Sequence, residues 1–174
     1  MAEKKHYEIE RKYLIRRPDP SFLAAQPGCR VWDIVQTYLV DGAGGETRRV
    51  RRVTEDGETR YYRTFKRPVT AVRCEEDEAL IDEAAYERYA READPASAPV
   101  AKTRYRIPYR GRTLEFDIYP FWTDRAILEV ELGSESEIPE LPAYVRILRD
   151  VTGEQAYRNR SIARRVPMEE IEED

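Results

Sequence analysis

Histidine, cysteine and lysine are scarce in this chain, and each scarcity removes a class of chemistry. His6 is the only histidine, and Cys29 and Cys74 are the only cysteines. Two isolated thiols make neither a disulfide framework nor a zinc site and suit a reducing compartment. A Ser/His/Asp or Cys/His nucleophilic system would have to use His6, close to the terminus, so that mechanism ranks low. Any metal must then sit among oxygen ligands, which points to magnesium, manganese or calcium. No apolar run is long enough to span a bilayer, and the N-terminal stretch is polar with no signal-peptide h-region. The expectation is a cytoplasmic protein without a membrane partner.

Charge, by contrast, is abundant. Charged residues are 37% of the 174, against about 25% in ordinary globular proteins, yet the net charge is only −4. Dense but balanced charge argues against a general nucleic-acid binder, which needs a net basic surface. Residues 1–174 read as one domain, with residues 167–174 a disordered acidic tail.

The stretch Tyr7–Leu14 reads as a strand with Glu8, Glu10 and Lys12 on one face. A short helical piece over residues 21–25 follows, then strands over 31–40 (with Gln36, Thr37 and Tyr38), 47–54 and 60–66. Asp56-Gly57 supplies the hairpin between the last two. Arg49 and Arg51 share a face, as do Tyr62, Thr64 and Lys66. A fifth strand over 72–80 carries Glu76 and Glu78, and Asp82 caps a helix to about Glu92. Lys102, Arg104 and Arg106 align on a sixth strand. Glu115 and Asp117 alternate with Leu114, Phe116 and Ile118 on a seventh, and Glu129 and Glu131 alternate with Leu128, Val130 and Leu132 on an eighth. Residues 139–150 and 154–164 read as helices.

An exposed sheet would mix signs along each strand, because adjacent like charges repel. These strands are nearly single-signed, an arrangement useful only to a strongly charged ligand. Eight strands can close into an antiparallel barrel that turns one face of every strand inward. An α+β fold follows, with a charged bore and an apolar exterior under helices. Buried charges in such number need partners: water, metal ions and a polyanion. Five lysines stand against 25 arginines. Lys4 and Lys5 are terminal, while Lys12, Lys66 and Lys102 all fall on the inward faces, where a compact ammonium meets phosphate oxygens differently from a guanidinium.

The Glu8-Ile9-Glu10-Arg11-Lys12 pattern, followed in order by Tyr38, Arg49-Val50-Arg51, Thr64-Phe65-Lys66, Glu76-Asp77-Glu78, Lys102-Thr103-Arg104-Tyr105, Glu115-Phe116-Asp117, Glu129-Val130-Glu131 and Tyr157-Arg158-Asn159-Arg160, resembles the CYTH or triphosphate tunnel metalloenzyme superfamily. The resemblance implies an eight-stranded tunnel that binds triphosphates with Mg²⁺ or Mn²⁺. It implies phosphate binding by Lys12, Arg49, Arg51, Lys66, Lys102 and Arg104, and by Arg158, or Arg160 beside it, where relatives often carry lysine. It further implies metal ligation by Glu8, Glu10, Glu129 and Glu131, with Asp117, Glu76 and Glu78 serving a second ion or the attacking water, and a catalytic role for Tyr38. A homodimer is implied by resemblance alone. Without the family pattern, Tyr38 is an ordinary strand aromatic. Tyr157 reads as packing, and Arg48, Arg52, Arg63 and Arg67 as solvated.

Metal-assisted hydrolysis of inorganic triphosphate is the leading expectation, since no aromatic-lined pocket or base-recognition motif is evident. The alternatives are an organic triphosphate as substrate, as for a class IV adenylate cyclase or a nucleoside or thiamine triphosphatase, and a non-catalytic polyphosphate-binding module. A single-stranded RNA-binding barrel fits less well, because the carboxylates would repel RNA.

Overall fold

The computed structural model describes residues 6–172; Lys4, Lys5 and residues 173–174 lie outside the described residues. Nine strands form the fold: β1 (His6–Arg16), β2 (Arg30–Tyr38), β3 (Thr47–Glu55), β4 (Glu58–Pro68), β5 (Arg73–Ile81), β6 (Val100–Tyr109), β7 (Arg112–Ile118), β8 (Arg125–Glu131) and β9 (Ile147–Asp150). They are hydrogen-bonded in the order β5-β4-β3-β2-β6-β7-β8-β1-β9, with an added β5–β1 pairing that closes an eight-stranded antiparallel barrel and leaves β9 outside.

Local sequence explains the closures. Asp56 and Gly57, both at positive φ, turn β3 into β4, and Arg110 and Gly111 do the same between β6 and β7. Two successive residues at positive φ make the turn whose twist matches flanking antiparallel strands. Strand β1 changes partner half-way. Its first half pairs with β5 from His6 to Ile9, and its second half pairs with β9 from Tyr13 to Ile15. Its opposite edge runs along β8 from Glu10 to Arg16.

The outward faces of β1, β6, β7 and β8 carry the larger core, including Tyr13, Ile15, Phe116, Leu128 and Val130. Fully burying one such side chain is worth about 1.5–3 kcal/mol, so this layer commits the alternation to one register. Part of its cover is helical: Leu23 of α1 (Pro20–Ala24) packs against it. The rest is not the helix expected over residues 139–150. Pro139 and Pro142 oppose helical backbone there. The chain instead runs irregularly, packs Leu141, Tyr144 and Val145 on the core, and then forms β9. The helix α2 (Glu83–Ala90) begins as expected, the Asp82 carboxylate accepting from the Ala85 N–H, and sets Tyr86 and Tyr89 against Tyr61 and Phe65 of β4.

The expected helix over 154–164 is two pieces, a 3₁₀ turn (Gln155–Tyr157) and α3 (Asn159–Arg164), separated by extended backbone at Arg158. Beyond Lys12 and Glu129 the inward register turns apolar. Leu14 and Ile127 there join Tyr38, Val100, Tyr119, Trp122, Tyr157 and Ile162 in a second core. The acidic end follows this cluster instead of hanging free: the Trp122 indole N–H donates to the Pro167 carbonyl at 2.9 Å, and Arg149 pairs with Glu169 at 2.9 Å.

Candidate functional site

Side-chain alternation delivers the charged faces to one interior. A cavity of about 430 Å³ is bordered by Glu8, Glu10, Lys12, Tyr38, Arg49, Arg51, Lys66, Glu76, Glu78, Arg104, Glu129, Glu131 and Arg158 among others. Arg48, Arg52, Arg63 and Arg67 lie off it, paired on the outer surface or exposed.

Basic β4 and β6 lie beside acidic β5 and β7, and ion pairs also reach across an intervening strand, so the interior is largely neutralised even though β7 and β8 set Glu115 opposite Glu129. Lys66 on β4 faces Glu76 on β5 and reaches Glu8 at 2.5 Å and Glu76 at 3.1 Å. Lys12 on β1 faces Glu129 on β8, 3.2 Å away. Arg51 and the Thr64 hydroxyl both donate to Glu78, at 2.9 and 2.8 Å. Arg104 donates to Asp117 through two nitrogens, at 2.7 and 2.8 Å, and also to Glu115 and Glu129.

Titration follows these contacts. Burial would raise the Glu8 carboxyl, but Lys66 outweighs it and brings it down to about 2. Burial beside Glu129 and Glu8 pushes Glu10 up to about 7. Neither Glu10 nor Glu131 has an ion pair among the described residues. Burial dominates at Glu76 and raises it, whereas at Glu78 the burial effect is overcome by Arg51 and Thr64, which lower it. Burial and nearby carboxylates lift the Cys74 thiol, itself on the cavity wall, to about 12 despite Lys66.

Oxygen is the dominant donor type, as a hard divalent cation requires. Among the described residues, however, no three acidic, histidine or cysteine side chains stand grouped to hold an ion as they are. Glu8 and Glu129 are drawn to lysine and arginine instead of to each other. The residues nevertheless fit a cation: Glu10, without an ion pair among the described residues and held partly protonated near neutrality, is a carboxylate that gains from one.

Two expected site residues, Lys102 and Asp117, do not border the cavity; they sit behind its wall with side chains 1% and 0% exposed. The wall position is taken by Glu115, the other carboxylate of the same strand face, together with Arg106. Trp32 was not expected on the site, yet it borders the cavity with the Arg106 guanidinium 4.2 Å from its ring centre. Its inward parity with Ile34, Gln36 and Tyr38 was the available signal. Tyr38 is both: 3% exposed, part of the second core, and on the cavity edge. Tyr157 is buried packing. Arg158 is exposed at the cavity margin, and Arg160 beside it is held by Asp41 at 2.8 Å.

No family model matches the chain, and no curated protein sequence matches it. Solved structures do. The chain is similar to the inorganic triphosphatase NE1496, with 26% identity and a TM-score of 0.54 over 92% of this chain and 97% of that one. A conserved hypothetical protein from Pyrococcus furiosus aligns over 74% of this chain and 80% of its own, with 24% identity and a TM-score of 0.56. A proposed adenylate cyclase from Vibrio parahaemolyticus aligns over 74% and 79%, with 13% identity and a TM-score of 0.51. The last two likenesses concern the fold alone. No described helix is long and apolar enough to cross a membrane.

Proposed function

We propose that this chain is a member of the CYTH or triphosphate tunnel metalloenzyme superfamily that hydrolyses a phosphoanhydride bond of inorganic triphosphate with Mg²⁺ or Mn²⁺. The observation that carries the reading is the convergence on one cavity of Lys12, Lys66, Arg49 and Arg51 with Glu10 and Glu131, the first four suited to phosphate oxygens and the last two without an ion pair among the described residues. Arg49 Nε and Arg51 Nε are buried and, among the described residues, unpartnered, an expensive state for a donor that an anion relieves. The likeness to an inorganic triphosphatase over nearly the full length supports the same substrate class.

The residues divide the work. Lys12, Lys66, Arg49 and Arg51 orient the phosphate chain and stabilise charge on the transferred and leaving groups, while Arg104 holds Glu115 and Glu129 on the wall. As phosphate oxygens take over Lys66 and Lys12, these lysines release Glu8 and Glu129, which can join Glu10 and Glu131 in holding a cation. A bound Mg²⁺ or Mn²⁺ would supply Lewis-acid polarisation of phosphate oxygens. Glu76 is the better candidate than Glu78 to take a proton from the attacking water. It reaches into the cavity beside Lys66 and is held above the usual carboxylate range by burial, while Glu78 is committed to Arg51 and Thr64. Tyr38 packs at the cavity edge and limits its depth.

Trp32 favours a second reading, an organic triphosphate whose planar group lies against the indole. Turnover of triphosphate, ATP and thiamine triphosphate, each with Mg²⁺ and with Mn²⁺, separates the two; a clear preference for an organic substrate overturns the first. A protein that binds triphosphate but never turns it over with either metal is a binding module, and the enzyme reading fails.

A further inference from the structure

Lys102 and Asp117 are the most deeply buried ion pair among the described residues, with side chains 1% and 0% exposed and 2.6 Å apart. Three bonds reach the Asp117 carboxylate: Arg104 Nε at 2.7 Å on one oxygen, and Arg104 Nη2 at 2.8 Å and Lys102 Nζ at 2.6 Å on the other. Arg104 in turn sends Nη2 on to Glu129 at 2.9 Å and Nη1 to Glu115 at 3.0 Å. Four of the five N–H bonds of a guanidinium are thereby committed. Glu115 and Glu129 border the cavity, and Asp117 and Lys102 do not.

An ion pair this deep costs several kcal/mol in lost hydration per ion, and apolar residues of similar size would be as stable or more so. Stability alone does not account for it. Orientation does, because a guanidinium is planar and a carboxylate that grips two of its nitrogens fixes its plane. Lys102 completes the charge accounting. Without it, Asp117, Glu115 and Glu129 would share Arg104 with only Lys12 and Arg106 as further cations.

We propose that Lys102 and Asp117 are positioning residues, forming a dry brace that touches neither metal nor phosphate and fixes the Arg104 guanidinium, and through it Glu129 and Glu115, along the cavity wall. Only what the wall then binds rests on the triphosphate reading.

The brace itself is read by ¹⁵N NMR of the metal-free protein. The Arg104 Nε–H should give a resolved, slowly exchanging resonance in the native chain, and Asp117→Asn should merge it with the freely exchanging arginines; a resonance still protected in Asp117→Asn overturns the brace. Function is read by calorimetry. Asp117→Asn and Arg104→Lys should each weaken Mn²⁺ binding by roughly tenfold, with the double variant no weaker than the worse single one. Losses that multiply make Asp117 a ligand in its own right. Should Asp117→Asn not fold, Lys102→Met carries the test. Its triphosphate affinity should stay within about threefold of the native chain while Lys66→Met loses tenfold or more; an equal loss in both places Lys102 on phosphate. If the native chain binds neither Mn²⁺ nor triphosphate, the functional reading falls, and the Arg104 resonance still decides the brace.

Discussion

Replacing Glu10 by glutamine should stabilise the metal-free protein, and the gain should depend on pH. Burial beside Glu129 and Glu8 lifts the Glu10 carboxyl from 4.5 to about 7 in the folded state. A group with a raised folded pKa favours folding below its unfolded value and loses that advantage as pH rises through the folded one. The difference of about 2.5 pH units, at 1.36 kcal/mol each, amounts to about 3 kcal/mol carried against the fold above pH 7. Glu10→Gln removes it. Urea unfolding in EDTA at pH 8 should show the variant more stable by about 3 kcal/mol, or roughly 6–12 °C in a melting temperature for a chain of this size. At pH 4.5 the two proteins should coincide. Added Mg²⁺ should raise the native midpoint at pH 8 and the variant midpoint much less, because the variant has lost the carboxylate charge that attracts the ion. Equal stability at pH 8, or a gain that persists unchanged at pH 4.5, would refute the reasoning.

Lys66→Met strips the shared partner from Glu8 and Glu76. Triphosphate turnover should fall by roughly 10- to 100-fold, mostly through KM, and a kinetic titration reads it. Phe116→Ala, at a position 0% exposed between β6 and β8, should cost about 3–5 kcal/mol in denaturant unfolding while leaving the metal requirement of any remaining activity unchanged. Asp94 is held down to about 2, first by its bonds from Arg164 and also by the Ala96 N–H. A depressed carboxyl stabilises above its unfolded pKa and loses that contribution as pH falls toward the folded one. Asp94→Asn should therefore flatten the acid limb between about pH 4 and 2 and speed amide exchange in α3; an unchanged acid limb would count against the clamp.

Alternation proved a good guide to which face a residue occupies and a poor guide to its depth. Glu8, Glu10 and Lys12, the Arg49 and Arg51 pair, and Glu129 and Glu131 were legible as one interior because period 2 dictates the face of a strand. The same rule could not separate Glu115 from Asp117. Both share a face, and only the tilt and stagger of closed strands decide which reaches the open cavity and which lies behind it. The hairpin at Asp56-Gly57 was read from turn chemistry. Residues 139–150 were misread because the spacing of Leu141, Tyr144, Val145 and Leu148 imitates a helix, while Pro142 and the pairing with β1 impose extended backbone. Trp32 went unnoticed because strand aromatics are common and its inward parity carried no charge to flag it.

The cross-strand neutralisation of the bore makes recognition a matter of threshold. Lys12, Lys66 and Arg51 each already have a carboxylate within 3.2 Å, so an anion arriving at them competes with an internal one of fixed position and high local concentration. A ligand that challenges a single pair gains little, since it exchanges one contact for another and leaves a glutamate stranded. A ligand that meets Lys12, Lys66 and Arg51 together displaces several carboxylates at once, and these then become available as a group to a divalent ion. Orthophosphate should thus compete weakly even at high concentration, and discrimination by chain length would come from the number of simultaneous exchanges and not from the strength of any one of them.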